Sequence, residues 1–276
     1  MARSGVCSRR EAERWIESGR VSVNGSVATL GDRVSVDALI RVDGKPIASK
    51  RSARQIARII LYNKPVGEIC TRSDPEGRTT VFEKLPAIES GRWIAVGRLD
   101  INTSGLMLFT NNGELANKLM HPSSEMDREY AVRLLGKVDE DMLKRLREGV
   151  MLEDGMAAFS DIQPGRNRED AANQWYYCVV KEGRNREVRR LWESQGIKVS
   201  RLKRVRYGSV FIPPKVREGM WAEMTTADVK GLYKRLGMHY DEGAGLEPKE
   251  QIKLDRAYKK QRSAKAPGRS AVRRKR

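Results

Sequence analysis

The chain has 276 residues, which is enough for one full domain core with a smaller module beside it. Lys and Arg number 54 against 36 Asp and Glu, so the formal net charge of +18 favours a polyanionic partner such as nucleic acid. An anionic membrane is the competing partner, but the chain has no run of 18 apolar residues and no apolar stretch typical of a signal peptide. We therefore expect a soluble, cytoplasmic protein with no membrane partner.

The first predicted element is a short basic helix. Ser8 and Glu11 have the spacing of a capping box, and Gly19 predicts the end of the helix. Alternating valines on both sides of Asn24-Gly25 predict a hairpin, and the same β pattern continues to Val36. The arginines around this helix are candidate phosphate contacts, although any one of them could belong to a solvated face: Arg9, Arg10, Arg14 and Arg20.

Residues 48–57 are polar and basic and predict a linker, after which a larger domain extends over residues 58–238. Within that domain, short apolar runs predict strands at residues 59–62, 93–96, 106–110, 128–135 and 175–181. Capping residues and apolar positions at helical spacing predict helices at residues 113–120, 139–149 and 185–195. The elements interleave without a regular βαβ rhythm, which predicts an α+β fold around a mixed, largely antiparallel sheet.

The last segment, residues 239–276, is a basic tail. From Lys249 onward it has 12 Lys or Arg and 2 Asp or Glu, and almost no large apolar side chains. Such a segment buries too little apolar surface to offset the entropy of ordering, so we expect it to be disordered until a polyanion binds it.

The cysteine and histidine content limits the available chemistry. The three cysteines are far apart and form no C-x-x-C pair, which supports neither a disulfide framework nor a zinc knuckle. With only two histidines, a metal site or a Ser-His-Asp triad is improbable. We expect no metal and no cofactor, and chemistry carried by carboxylates, guanidinium groups, tyrosines or lysines.

The most informative segment is residues 97–106, GRLDINTSGL. It places Arg98 and Asp100 in a loop between two predicted core strands, which is a rigid support on which chemistry is often placed. The alternative for a single loop aspartate is a surface turn with a solvated carboxylate.

Three further segments help to interpret this loop: REYAVR at residues 128–133, EGRNREVRRLW at residues 182–192 and VSRLKRVRYG at residues 199–208. Together with GRLDINTSGL they resemble the signature motifs of the RNA pseudouridine synthases. The segment SRREAERWIESGRVSVNG resembles an S4 RNA-binding domain, so roughly residues 3–238 resemble the branch of that family that carries an S4 domain. S4 domains have another helix ahead of this one, and only seven residues precede Ser8. We therefore expect residues 1–47 not to pack as a complete S4 fold.

The resemblance implies roles for individual residues. The catalytic residues would be Asp100, which attacks the target uridine, Tyr130, which stacks on the uracil, and Arg189, which pairs with Asp100 and keeps it ionised. Arg98 would fill the gap left by the flipped base. The other candidate RNA-binding residues in this domain are Arg184, Arg186, Lys64 beside a structural turn, and Leu202 as an apolar wall.

The resemblance implies the isomerisation of a specific uridine of 23S rRNA to pseudouridine, by a monomer, with 23S rRNA or a large-subunit assembly intermediate as partner. Two alternatives stay open at this point. One is a non-catalytic rRNA-binding or ribosome assembly factor, against which the intact Asp100, Tyr130 and Arg189 argue. The other is the same reaction at another rRNA uridine.

Overall fold

The structure is a computed structural model that describes residues 1, 6–35, 37–47, 56–88, 91–166 and 172–240. Most of the predicted linker and the tail beyond residue 240 lie outside the described residues, so the expectations about them and the exact domain bounds stay predictions. Within the described part of the chain, no helix has the length and apolar character needed to cross a membrane.

The N-terminal module consists of one helix and a small antiparallel sheet. Helix α1 (Arg9–Glu17) begins with the predicted capping box: the Ser8 hydroxyl accepts a hydrogen bond from the Glu11 amide at 3.1 Å, and the Glu11 carboxylate accepts one from the Ser8 amide at 3.4 Å. The sheet has the order β2-β1-β3-β4. Its strands are β1 (Val21–Val23), β2 (Ser26–Val27), β3 (Ile40–Val42) and β4 (Lys45–Pro46).

The predicted hairpin at Asn24-Gly25 is confirmed, with both residues at positive φ as this type of turn requires. The predicted continuation of the β pattern is wrong, because β2 ends at Val27 and the described residues from there to Leu39 form no strand. The cause is a local turn: the Asp32 carboxylate accepts hydrogen bonds from the amide and the hydroxyl of Thr29, both at 2.8 Å.

The larger domain is built on a mixed sheet of nine strands. Seven follow the order β11-β12-β8-β13-β7-β5-β15, with β14 paired to β13 and β6 paired to β7. Among the described strand pairs only β13 with β7 is parallel, so the predicted α+β fold with a mixed, largely antiparallel sheet is confirmed. The nine strands are β5 (Ile59–Lys64), β6 (Ile94–Val96), β7 (Ser104–Thr110), β8 (Arg128–Leu135), β11 (Asp161–Pro164), β12 (Asn173–Val180), β13 (Lys198–Tyr207), β14 (Val210–Phe211) and β15 (Trp221–Glu223). Strands β9 (Val150–Leu152) and β10 (Gly155–Ala157) form a separate two-stranded sheet.

Four helices complete this domain: α2 (Gly113–Met120), α3 (Glu140–Glu148), α4 (Glu187–Glu193) and α5 (Thr226–Arg235). Asp139 caps α3 with its side chain, as the helix start predicted there requires, and Asn112 caps α2 in the same way. Helix α4 is shorter than predicted, because Arg186 takes a left-handed conformation (φ 49°) and the helix begins only after it.

The apolar residues of the sheet form three clusters. Alternate residues of β5 pack on opposite faces, with Ile59 and Leu61 in a cluster shared with α2 and α5, and Ile60 and Tyr62 in a second cluster. The third cluster joins α3 and α4 to one face of β8, β11, β12 and β13. The two halves of the sheet meet where β7 pairs with β13.

Gly105 makes this junction possible. It lies in β7 opposite Arg204 of β13, with φ of 109°. A Cβ atom at this position would lie 2.2 Å from the Arg204 carbonyl oxygen and 2.6 Å from its amide nitrogen. Only glycine therefore allows the two strand backbones to approach so closely at the exit of the Asp100 loop.

Candidate active site

The Asp100 loop connects β6 to β7. Its tight start is permitted by Gly97, at φ 77°, and Leu99 anchors it by packing into the cluster around Tyr62. Asp100 follows with a half-buried side chain, and its carbonyl accepts a hydrogen bond from the Thr103 amide at 3.0 Å. The carboxylate therefore stands on a closed turn between two sheet strands, as the sequence predicts.

Lys64, at the end of β5, holds this loop from behind. Its side chain is fully buried, and its ammonium group donates to the carbonyl oxygens of Pro65 at 3.0 Å, Asp100 at 3.1 Å and Thr103 at 2.9 Å. Burial lowers the pKa of Lys64, and the charge of Asp100 is among those that oppose this shift. The predicted structural role beside the site fits this position. A direct contact between Lys64 and RNA does not fit it, because all three ammonium donors are used inside the protein.

Arg189, on the buried face of α4, holds the same loop from a second side. Its guanidinium group donates to the carbonyl of Asn102 at 2.9 Å and to that of Val199 at 3.1 Å. Burial lowers the pKa of Arg189, as does nearby Arg186, whereas the charge of Asp100 raises it. The resemblance implied direct pairing with the Asp100 carboxylate. The structure differs: the two groups interact through their charges, while the hydrogen bonds of Arg189 go to loop and strand carbonyls.

Tyr130 lies where two apolar clusters meet. It is half-buried in the middle of β8 and packs against both the α3–α4 cluster and the Tyr62 cluster. Its strand neighbours are Cys178 on one side and Arg204 on the other. Tyr130 and Asp100 line the same cleft, which has a volume of about 1520 Å³.

The walls of this cleft are predominantly basic, with eight Arg or Lys residues against five Asp or Glu. The basic residues are Arg72, Arg78, Arg98, Arg128, Lys181, Arg184, Arg186 and Arg204, and the acidic residues are Asp74, Asp100, Glu125, Glu182 and Glu187. A polyanion is therefore favoured over an acidic protein surface as the occupant. Among the described residues, no group of three or more His, Cys, Asp or Glu is placed to hold a metal ion.

The predicted RNA-binding residues of the larger domain differ in how available they are. Arg98 is exposed at the cleft, and Leu202 lines it with a buried side chain, as an apolar wall requires. Arg186 is exposed and has an ion pair with Glu193 at 3.6 Å. Arg184 also lines the cleft, and its guanidinium group bonds Glu182 and the carbonyls of the β9–β10 hairpin, so its contact with RNA stays a prediction.

The four arginines of the N-terminal module that the sequence predicts to bind RNA are all exposed. Arg20 forms a two-bond ion pair with Asp43, at 2.6 and 2.9 Å, and stacks over Trp15. Arg9, Arg10 and Arg14 have no such partner among the described residues. The surface of this module thus offers three uncommitted guanidinium groups on or beside one helix.

Sequence reasoning missed two buried ionisable residues of the cleft. Arg204 donates from Nε to the Leu106 carbonyl at 2.8 Å, and its Nη2 is buried without a partner among the described residues. The alternation of β13 could have found it, because Arg204 follows Leu202 on the same strand face. Glu187 is the second: it accepts a hydrogen bond from the Arg184 amide, and burial raises its pKa.

Comparison with known proteins agrees with this geometry. A family model described as RNA pseudouridylate synthase matches residues 58–194, and the S4 domain model matches residues 1–40. Ribosomal large subunit pseudouridine synthase B of Pseudomonas aeruginosa is 56% identical over 261 residues, covering 95% of this chain and 67% of the relative. The enzyme of the same name from Escherichia coli K12 is 56% identical over 234 residues, covering 84% of this chain and 80% of the relative.

The fold comparison gives the same result. A crystal structure of a pseudouridylate synthase aligns with a TM-score of 0.58 at 23% sequence identity, covering 84% of this chain and 96% of that one. At this identity the likeness concerns the fold, which is the pseudouridine synthase fold with an S4 domain at the N-terminal end.

Proposed function

The chain belongs to the RNA pseudouridine synthase family, and on that premise we propose that it isomerises a specific uridine of 23S rRNA, with Asp100 as the nucleophile. The choice of RNA is supported by the relatives, which are named as synthases of the large ribosomal subunit and are more than half identical. The partner is then 23S rRNA, free or within an assembly intermediate of the large subunit, and the protein acts as a monomer.

One observation carries the proposed mechanism. Asp100 is half-buried in a basic cleft, and the backbone of its loop is bonded by two buried cations, Lys64 and Arg189. Such a loop presents its carboxylate in a fixed position without a change of structure during the reaction. The carboxylate is the form that can act as a nucleophile, and its charge interacts with those of Lys64 and Arg189.

The target base has to leave its stack before Asp100 can reach it. Tyr130 offers an aromatic surface in the cleft, and Leu202 offers an apolar wall beside it. Arg98 is the exposed side chain next to Asp100 that can occupy the gap in the RNA helix. The basic cleft wall and the arginines of the S4 domain contact phosphates, which position the RNA but carry no sequence information.

The reaction is an isomerisation, so all atoms of the nucleotide are retained except an exchanged proton. Asp100 adds to the uridine, the glycosidic C–N bond breaks, and the base rotates within the cleft. A C–C bond then forms between the ribose and C5, the bond to Asp100 breaks, C5 loses its proton and N1 gains one. Lys64 and Arg189 do not contact the base in this scheme; they are positioning residues that hold the Asp100 loop.

The test measures tritium release from 23S rRNA transcripts labelled at uridine C5. The wild-type protein is expected to release tritium, and Asp100→Asn, which keeps the shape and removes the nucleophile, is expected to release none. RNA affinity of the variant should stay within a few-fold, because phosphate contacts dominate binding. Turnover by Asp100→Asn near the wild-type rate contradicts the mechanism. RNA binding by the wild type without any turnover supports the non-catalytic assembly factor instead.

A further inference from the structure

In the half of the larger sheet formed by β8, β11, β12 and the first part of β13, one face carries no helix among the described residues, whereas α2 and α5 pack on β5 and β7 in the other half. Helices α3 and α4 cover the opposite face, where Tyr176 and Cys178 of β12 and Leu202 of β13 are buried. The side chains at the alternate positions of these strands point to the other face. There Tyr177 is 43% exposed, and Arg201 is exposed as well. We call this surface of β8, β11, β12 and β13 the open face.

The open face contains an unfavourable pair of charges. Arg133 of β8 and Arg201 of β13 are direct cross-strand partners. Like charges in this arrangement destabilise a sheet, and no ion pair with a carboxylate relieves either residue among the described ones. Arg133 donates only to the Ser200 hydroxyl, at 3.0 Å. A bound anion would turn this repulsion into attraction.

An aromatic residue lies in the next row of the same face. Tyr177 of β12 is opposite Ala131 of β8, which in turn is opposite Lys203 of β13. Neighbouring strands are about 4.8 Å apart, so Tyr177 and Lys203 lie on either side of the small, buried Ala131, and the Lys203 ammonium group has an ion pair with Glu218 at 3.8 Å. Such a row offers a surface for stacking a base and a cation for the adjoining phosphate.

We propose that the open face binds a single-stranded segment of the substrate RNA outside the target nucleotide. Tyr177 stacks on a base, while Arg133, Arg201 and Lys203 bind the phosphates on either side. Tyr130 packs on the α3–α4 face of β8 and Arg133 lies on the opposite, open face, so the segment bound there is distinct from the nucleotide in the cleft. This inference rests on the proposed function for the identity of the RNA.

Charge favours RNA over the other possible occupants. Residues 249–276 of the chain itself carry 12 Lys or Arg against 2 Asp or Glu, so they would be repelled by the same arginines. An acidic protein would satisfy the charges, but it would not need an exposed aromatic ring between them. Stacking next to a phosphate-binding row is typical of single-stranded RNA binding by sheet surfaces.

The test uses the full chain and a fluorescently labelled single-stranded RNA of 12 nucleotides, with affinity measured by anisotropy over a range of salt concentrations. Tyr177→Ala should weaken binding about fivefold or more, and Tyr177→Phe, which keeps the ring, should bind as the wild type does. Arg133→Ala with Arg201→Ala should lower the log–log salt slope by about 1.4. The matched control is Lys234→Ala with Arg235→Ala, which removes two exposed charges from α5.

The proposal is overturned if the control pair weakens RNA binding as much as the open-face variants do. It is also overturned if Tyr177→Ala and the Arg133/Arg201 double variant bind RNA as the wild type does. Unchanged thermal unfolding of each variant shows that an altered affinity does not come from loss of the fold. With the 23S rRNA transcript, the open-face variants should raise KM and leave kcat unchanged, whereas Asp100→Asn should abolish turnover. If the wild type releases no tritium, the proposed function fails, while the anisotropy series still decides whether the open face binds RNA.

Discussion

At the scale of single residues, the candidate nucleophile depends on buried positive charges that lie behind it. Lys64 and Arg189 both bond carbonyl oxygens of the Asp100 loop, and neither reaches the cleft surface. Buried cations are costly unless their donors are satisfied. Their presence here is explained by the carboxylate that the loop carries, because a purely apolar support would leave the Asp100 charge uncompensated.

Arg189→Met tests this arrangement. The change removes the buried charge near Asp100 and leaves the carbonyls of Asn102 and Val199 without their donor. We expect kcat to fall on the order of 100-fold, because small displacements of a nucleophile have effects of that size. Arg189→Lys keeps the charge but cannot donate to both carbonyls in the same way, so its kcat should lie between those of the wild type and Arg189→Met. Full activity of Arg189→Met at neutral pH would exclude a role in positioning Asp100.

Glu187 gives a prediction about pH. Burial raises its pKa above the ordinary value of 4.5, so the folded protein holds this proton more tightly than the unfolded chain does. The stability from the neutral carboxyl is therefore fully present below pH 4.5 and lost as pH rises through the raised pKa. Glu187→Gln, which stays neutral and can still accept the Arg184 amide, should be as stable as the wild type at low pH and more stable at neutral pH. Chemical denaturation at several pH values measures the difference, and parallel pH profiles of the two proteins would contradict it.

At the scale of elements, local signals in the sequence predicted four of the five α-helices in the described residues but fewer than half of the strands. Capping residues such as Ser8 and Asp139 act within one turn, so they can be recognised without knowledge of the fold. Helix α5 was not predicted, nor were strands β3, β4, β9, β10, β11, β14 and β15, since short strands depend on pairing partners more than on their own residues. The β13 strand was recognised as a motif but not as a strand, because its many Arg and Lys residues hide the alternation that Leu202 begins.

Gly105→Ala tests the junction of β7 and β13. The new Cβ would overlap the Arg204 backbone at 2.2 Å, so the strands have to separate next to the Asp100 loop. Gly97→Ala is the matched control, because Gly97 also has positive φ but a Cβ atom there would meet no other atom within 4 Å. We expect the control to cost about 1–3 kcal/mol of unfolding free energy. Gly105→Ala should cost at least about 2 kcal/mol more. Equal losses in a denaturant titration would show that the close strand approach is not required.

At the scale of the whole molecule, the candidate site could be predicted only in part. The signature segments indicated Asp100, Tyr130 and Leu202, all of which line one cleft in the structure. The hydrogen bonds of Lys64 and Arg189 to the carbonyls of the Asp100 loop could not be predicted. Both residues are distant from this loop in the chain, and the carbonyls take their direction only when the loop is folded. The same holds for Arg184, whose donors are used by the β9–β10 hairpin.

Deleting residues 249–276 tests the role of charge over the whole chain. The deletion removes a net charge of +10 and none of the proposed active site. If the segment is an electrostatic tether, rRNA binding should weaken and its log–log salt slope should flatten by roughly 0.7–0.9 for each phosphate that the segment neutralises. The modified uridines should be the same, and turnover at saturating RNA should barely change. An unchanged slope would show that the segment only adds solubility, and modification of a different uridine would show that it takes part in recognition.

The most direct test of the account is a map of pseudouridine in 23S rRNA from cells in which the gene is deleted. The map should be repeated after complementation with the wild-type gene and with Asp100→Asn, both confirmed to be expressed at the same level. We predict that a specific 23S rRNA uridine is unmodified in the deletion strain, is restored by the wild type and is not restored by Asp100→Asn. An unchanged set of 23S pseudouridines in the deletion strain, or full restoration by Asp100→Asn, would contradict the account.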